Sequence, residues 1–134
     1  MPPLRLLFVC VENSNRSQMA EAFARIHARE LGLEVEALSA GSRPSGVVNS
    51  KAIASMAELG YDLAAHRSKS LQEVESLDYD AVVTMGCGDA CPMVRARQRI
   101  DWQIPDPKHL EPAEFRKVRE LVGGNVRGLI ESLR

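Results

Sequence analysis

A cysteine, five residues and an arginine, Cys10-Val11-Glu12-Asn13-Ser14-Asn15-Arg16, lie between an apolar run and the start of a helical pattern. Successive backbone N–H groups in a tight loop, added to the positive end of a helix macrodipole, can ring a tetrahedral oxyanion. The residues of that cradle would be Val11, Glu12, Asn13, Ser14, Asn15, Arg16 and Ser17, with Arg16 supplying a planar two-pronged donor. The same field favours a thiolate. A free thiol titrates near ~8.5, and a helix N-terminus beside an arginine lowers that by several units, so Cys10 is expected to be nucleophilic at neutral pH. Ser17 can hydrogen-bond the sulfur, and Asn13 can take a left-handed turn and hold the loop with its amide. A structural cysteine beside a solvated arginine is the alternative reading, and the strand-to-helix context favours the cradle.

Displacing an oxygen from a tetrahedral centre requires a proton for the leaving group, so a carboxylic acid should overhang the cradle. Asp106 is the candidate because Pro105 and Pro107 stiffen its loop and fix where the side chain points. An Asx turn would use the same residue, and the residues alone leave both roles open.

The elements that position these groups read as alternating strands and helices. Leu4 to Val9 is a short, nearly continuous apolar run of the kind buried on both faces of a parallel sheet. From Ser17 onward Met19, Phe23 and Ile26 recur at helical spacing, and Gly32 is a plausible stop. Val35 to Ser39 reads as a second strand, followed by a helix capped at Asn49 or Ser50, carrying Ile53, Met56 and Leu59 and ending at Gly60. Ser70 can cap a short helix through Leu77, after which Tyr79 to Met85 reads as a third strand. The spacing predicts a fourth at Ile100 to Ile104. A last helix from Pro112 turns Phe115, Val118, Leu121 or Val122, Val126, Leu129 and Leu133 inward, weakened locally by Gly123-Gly124. The pattern predicts a doubly wound α/β domain over residues 1–134, with ligands gathered at the carboxyl ends of the strands, where Cys10 and Cys87 both fall.

The chain has 134 residues, 45% hydrophobic and 26% charged, enough for one core and too polar for a membrane span. A formal net charge of −1 offers no global pull toward nucleic acid or an anionic membrane, so an anion site must be local. No export signal stands at the N-terminus, and a cytoplasmic monomer is expected. Three cysteines, Cys10, Cys87 and Cys91, are an odd number in a chain that needs no staples, and in a reducing compartment such thiols are reactive or buried. His27, His66 and His109 have no paired ligand spacing with them, so neither a metal site nor a cofactor is expected.

The stretch Phe8-Val-Cys-Val-Glu-Asn-Ser-Asn-Arg-Ser-Gln-Met-Ala-Glu-Ala-Phe23 resembles the low-molecular-weight protein tyrosine phosphatase superfamily, and within it the thioredoxin-coupled arsenate reductases. Ser39-Ala40-Gly41, Val82-Val83-Thr84-Met85 and Trp102-Gln-Ile-Pro-Asp-Pro107 follow in the family's order. The resemblance implies a single α/β domain whose four-stranded parallel sheet is flanked by helices on both faces. It also implies a first loop that binds arsenate, with phosphate or sulfate as mimics, and it favours Asp106 as the general acid.

Cys87-Gly88-Asp89-Ala90-Cys91 points to the reductase branch of that family. In the implied relay Cys87 attacks the sulfur of a Cys10–arsenic adduct and expels arsenite, and Cys91 then takes over the disulfide. The three intervening residues permit closure after a local rearrangement. A thioredoxin or similar dithiol would reduce the Cys87–Cys91 bond. Members of this branch line a monovalent cation site with residues matching Asn13, Glu21 and Ser39, completed by a carboxylate where this chain has Lys69. The implied consequence is that the Lys69 ammonium takes the place of potassium.

His66 and Arg67 are expected to fill surface roles, and Arg95, Arg97 and Arg99 to form a solvated basic face that could guide an anion or a reductase. The rival function is a phosphatase acting on phosphotyrosine or small phosphomonoesters, which would share Cys10, Arg16 and Asp106. Lys108-His109 stands where such phosphatases place aromatic residues, so a deep aromatic clamp is not expected.

Overall fold

The computed structural model of the chain describes residues 3–86 and 94–134. Cys87 and Cys91, and with them the expected thiol relay, lie outside the described residues. The described residues form four strands and three α-helices in the order β1 (Leu4–Cys10), α1 (Arg16–Leu31), β2 (Val35–Gly41), α2 (Ser50–Ala57), β3 (Asp78–Thr84), β4 (Arg95–Asp101) and α3 (Pro112–Leu133). The strands form one parallel sheet in the order β2-β1-β3-β4.

The apolar run of β1 is buried on both faces because it lies between two neighbours. Leu6, Phe8 and Cys10 join the larger core, which holds Met19 and Phe23 of α1, Met56 of α2 and Phe115, Val118 and Val122 of α3. Leu7 and Val9 face the other way, onto Val74, Tyr79 and Val82. All three α-helices thus share one face, and the segment around the short 3-10 helix Leu71–Glu73 covers the other, capped by Ser70 as its sequence predicts. Gly32 ends α1 in the left-handed conformation, with φ 66°. In α3 the inward residue is Val122, whereas Leu121 is exposed.

The fourth strand is where the sequence reading errs. Ile100 to Ile104 is mostly beyond it: β4 starts at Arg95, paired with Asp78, and ends at Asp101, paired with Thr84. Its arginines give no apolar alternation because β4 is a sheet edge and most of its residues are exposed or half-buried. The basic run is therefore a strand. Arg95 and Arg97 pair with Asp78 and Asp80 of β3 at 2.8 and 4.0 Å, and Arg99 donates to the carbonyl of Val94. No helix among the described residues is long and apolar enough to cross a membrane.

Candidate active site

Cys10 is the last residue of β1 and Arg16 the first of α1, so the loop between them joins the carboxyl end of a central strand to a helix N-terminus. Asn13 takes a left-handed backbone, φ 51°, as the turn requires. The loop is pinned from outside. The carbonyls of Val11, Glu12 and Ser14 accept from the N–H groups of Arg43, Ser45 and Asn49 at 2.9 to 3.0 Å, and that of Asn13 accepts from Gln18 Nε2 at 3.0 Å. A peptide's N–H points opposite its C=O, so the N–H groups of Glu12, Asn13, Ser14 and Asn15 are turned the other way. The end of β2 must pass close behind for this packing. A Cβ on Gly41 would stand 2.5 Å from the carbonyl oxygen of Val11, which only glycine avoids.

The polar side chains beneath the loop form a connected set. Ser17 Oγ lies 2.9 Å from Cys10 Sγ and accepts from Asn13 Nδ2 at 2.8 Å. Asn13 Oδ1 accepts from Gln18 Nε2 and from the backbone N–H of Lys69, both at 2.9 Å. Asn13, Ser17 and Gln18 are fully buried, so these bonds replace water that cannot reach them. The Oδ1 of Asn15, also in the cradle, is the buried side-chain atom left without a partner among the described residues.

Arg16 Nη1 donates to the carbonyls of Met85 at 3.0 Å and Ile104 at 2.9 Å. These bonds anchor the guanidinium to the end of β3 and to the start of the acid loop. Asp106 lines the cleft together with Cys10, Val11, Glu12, Ser14, Asn15 and Arg16. Its Oδ1 also accepts from the N–H of Lys108 at 3.1 Å, so the Asx turn is formed while the residue lines the same cleft as Cys10.

Behind the cradle, Glu21 is buried and accepts from Ser39 Oγ at 2.7 Å. The ammonium of Lys69 lies 3.7 Å from the same carboxylate oxygen, while Arg25 and His66 approach the other at 2.9 and 3.4 Å. Asn13, Glu21, Ser39 and Lys69 are thus brought together. His66 corrects the sequence reading: its side chain is 4% exposed, held between Tyr61 Oη at 2.6 Å and Gln18 Oε1 at 3.0 Å. Burial holds its imidazole below the ordinary value, opposed by the Glu21 carboxylate, and burial likewise lowers the Lys69 ammonium. Gln18 and His66 escaped the sequence reading because neither belongs to the loop's spacing; only the tertiary packing puts them beneath it.

A family model described as low molecular weight phosphotyrosine protein phosphatase matches residues 5–134. The glutaredoxin arsenate reductase of Synechocystis sp. is 37% identical over 132 residues, covering 96% of this chain and 98% of the relative. Among solved structures, an arsenate reductase in the phosphate-binding state superposes with TM-score 0.87 at 35% identity, covering 98% of this chain and 99% of that one. A low molecular weight protein tyrosine phosphatase from T. tengcongensis gives TM-score 0.79 at 27% identity, covering 96% and 99%.

Proposed function

The chain belongs to the low molecular weight phosphotyrosine protein phosphatase family, and within that family we propose that it is an arsenate reductase. The observation that carries this reading is the join between cradle and cysteine pair. Arg16 bonds the carbonyl of Met85, and the chain reaches Cys87 two residues later. A second thiol therefore follows directly from the strand end that anchors the anion-binding arginine.

Cys10 thiolate attacks arsenic in arsenate held by the loop N–H groups and Arg16. The departing oxygen takes a proton from Asp106 and leaves as water. Cys87 then attacks the Cys10 sulfur; the S–As bond breaks, its electron pair stays on arsenic, and arsenite leaves with a Cys10–Cys87 disulfide behind. Cys91 attacks Cys87, frees Cys10 and forms Cys87–Cys91. An external dithiol restores both thiols, so each arsenate consumes two electrons and two protons and releases one water. The reading places the protein in the cytoplasm, where such a dithiol is available. We assign a thioredoxin-type reductant, while the name of the Synechocystis relative points to glutaredoxin.

The test is arsenate-dependent NADPH oxidation, coupled through thioredoxin and its reductase or through glutathione, glutaredoxin and glutathione reductase. Wild type should turn over with one of the two couples, and Cys87→Ser and Cys91→Ser should each abolish repeated turnover. No turnover with either couple, together with Cys10-dependent hydrolysis of an aryl phosphate, moves the chain to the phosphatase reading. That second reading is favoured by the same cleft of Cys10, Arg16 and Asp106 and by the likeness to the T. tengcongensis phosphatase.

A further inference from the structure

The rim of the cleft carries an ion pair that none of this chemistry uses. Lys108 Nζ lies 3.4 Å from Glu12 Oε2, joining the acid loop to the cradle. Both residues are fixed through their backbones. The carbonyl of Glu12 accepts from Ser45 N at 3.0 Å and from Ser68 Oγ at 3.0 Å, which fixes where its side chain leaves the loop. The N–H of Lys108 is bound by Asp106 Oδ1, and its carbonyl accepts from Lys51 Nζ at 3.1 Å, which also reaches the carbonyl of Leu110 at 3.2 Å. Lys51, in the first turn of α2, thereby ties the acid loop to the body of the protein.

We infer that the Glu12–Lys108 pair is a specificity device, admitting a bare tetrahedral oxyanion and opposing one that carries an apolar substituent. This rests on the reading of the cleft as an anion site and names the kind of anion it takes. Cys10 and Arg16 are buried at the bottom of the cleft, so a substituent on the anion must leave past the rim. There it meets two half-exposed charges instead of an apolar wall. Among the described residues, no aromatic side chain lines the cleft. A ring laid on the pair would strip its water or push the partners apart, and neither loss is offset by new polar contacts. Lys108 also neutralises the Glu12 carboxylate, which alone would repel any anion entering the cradle. Discrimination of this kind comes from a penalty on the wrong ligand.

Protection of Cys10 against iodoacetamide, read by peptide mass spectrometry, gives dissociation constants without requiring turnover. Inorganic phosphate and phenylphosphonate are the probes, the second presenting the same kind of anionic head with a ring attached. Wild type should bind phosphate more tightly. In the Glu12→Ala/Lys108→Ala double variant, tighter phenylphosphonate binding should lower the ratio of the two constants by about tenfold. In Lys108→Ala alone the exposed Glu12 charge should weaken both ligands, more strongly at low salt. A ratio unchanged within about twofold in the double variant, or a fall caused only by lost phosphate binding, overturns the inference. If neither anion protects wild-type Cys10, the cradle reading itself fails and the specificity device with it. A gated ratio without arsenate turnover upholds the device and overturns only the reductase assignment.

Discussion

Gly123 of α3 presses on the ring of Phe23 in α1: a Cβ on the glycine would stand 2.8 Å from Phe23 Cε1. The glycine pair that weakens α3 on propensity is therefore partly a packing feature. His27 of α1 bonds the Gly123 carbonyl at 3.0 Å and stacks on Phe23, closing the same contact. Because α1 carries Arg16 and the floor of the cradle at its other end, this contact helps seat the site. Gly123→Ala should destabilise the protein by about 1–3 kcal/mol through overpacking. Gly124, with open space at its Cβ position, should gain about 0.5–1 kcal/mol on substitution by alanine. Urea unfolding of the two variants distinguishes them by sign.

Arg16→Lys should lower arsenate turnover by about 10²–10³-fold. A lysine keeps the charge but cannot satisfy the Met85 and Ile104 carbonyls while presenting a two-pronged face to the anion. Steady-state kinetics with Arg16→Lys, checked against circular dichroism of the folded variant, measures this. Activity within about threefold of wild type would remove Arg16 from the anion's recognition.

The Lys69 ammonium stands 3.7 Å from Glu21, and the family resemblance implies that it takes the place of a monovalent cation. Wild-type melting temperature should be the same in potassium chloride and tetramethylammonium chloride. Lys69→Ala leaves the buried Glu21 carboxylate, with Ser39 beside it, short of one cation, and should melt a few degrees (~2–5 °C) higher in potassium than in tetramethylammonium. A potassium-dependent wild type would show that the lysine does not fill that role.

Glu58 fastens α2 to α3. Arg116 and Arg119 reach its two oxygens at 2.8 and 2.5 Å, and their hydrogen bonds lower its carboxyl to about 2. A carboxyl depressed in the folded state takes up its proton more readily when unfolded, so its contribution is complete above the ordinary carboxylate range. It fades as the pH falls from about 4.5 toward about 2. The melting-temperature gap between wild type and Glu58→Gln should be constant from pH 7 to 5 and narrow steadily below that. A gap that stays constant down to pH 2.5 would show that the ion pairs add nothing.

Burial of His66 has the same sign of consequence for acid, at a higher pH. Its folded-state value lies below that of the free imidazole, so the unfolded chain binds the proton more readily and stability declines as the pH falls below about 6.5. His66→Gln, which keeps a polar partner for Gln18 and Tyr61, should be less sensitive than wild type between pH 7 and 5. Thermal melts across that range provide the measurement.

Local chemistry in this chain was legible before any coordinates. The spacing from Cys10 to Arg16 reads as a strand-to-helix loop, and the structure has that arrangement, because the requirement is local: a strand end, a short loop and a helix N-terminus determine one another within a few residues. Gly32, Ser70 and Pro112 marked element ends for the same reason, each acting on its own backbone. β4 escapes the local pattern because an edge strand carries no apolar alternation; its arginines are held by the β3 aspartates and by sheet pairing, which no window of sequence displays. The second layer of the site was likewise beyond local pattern. Gln18 and His66 are 48 positions apart and meet next to the Asn13 turn only when the segment after α2 folds back against α1. Glu12 and Lys108 are separated by 96 positions and face each other only because the carboxyl ends of the strands converge. Residue types and spacing along the chain mark the groups suited to holding and attacking an anion; tertiary packing sets which charges stand behind and across the cleft, since burial and proximity belong to the assembled sheet and not to the chain.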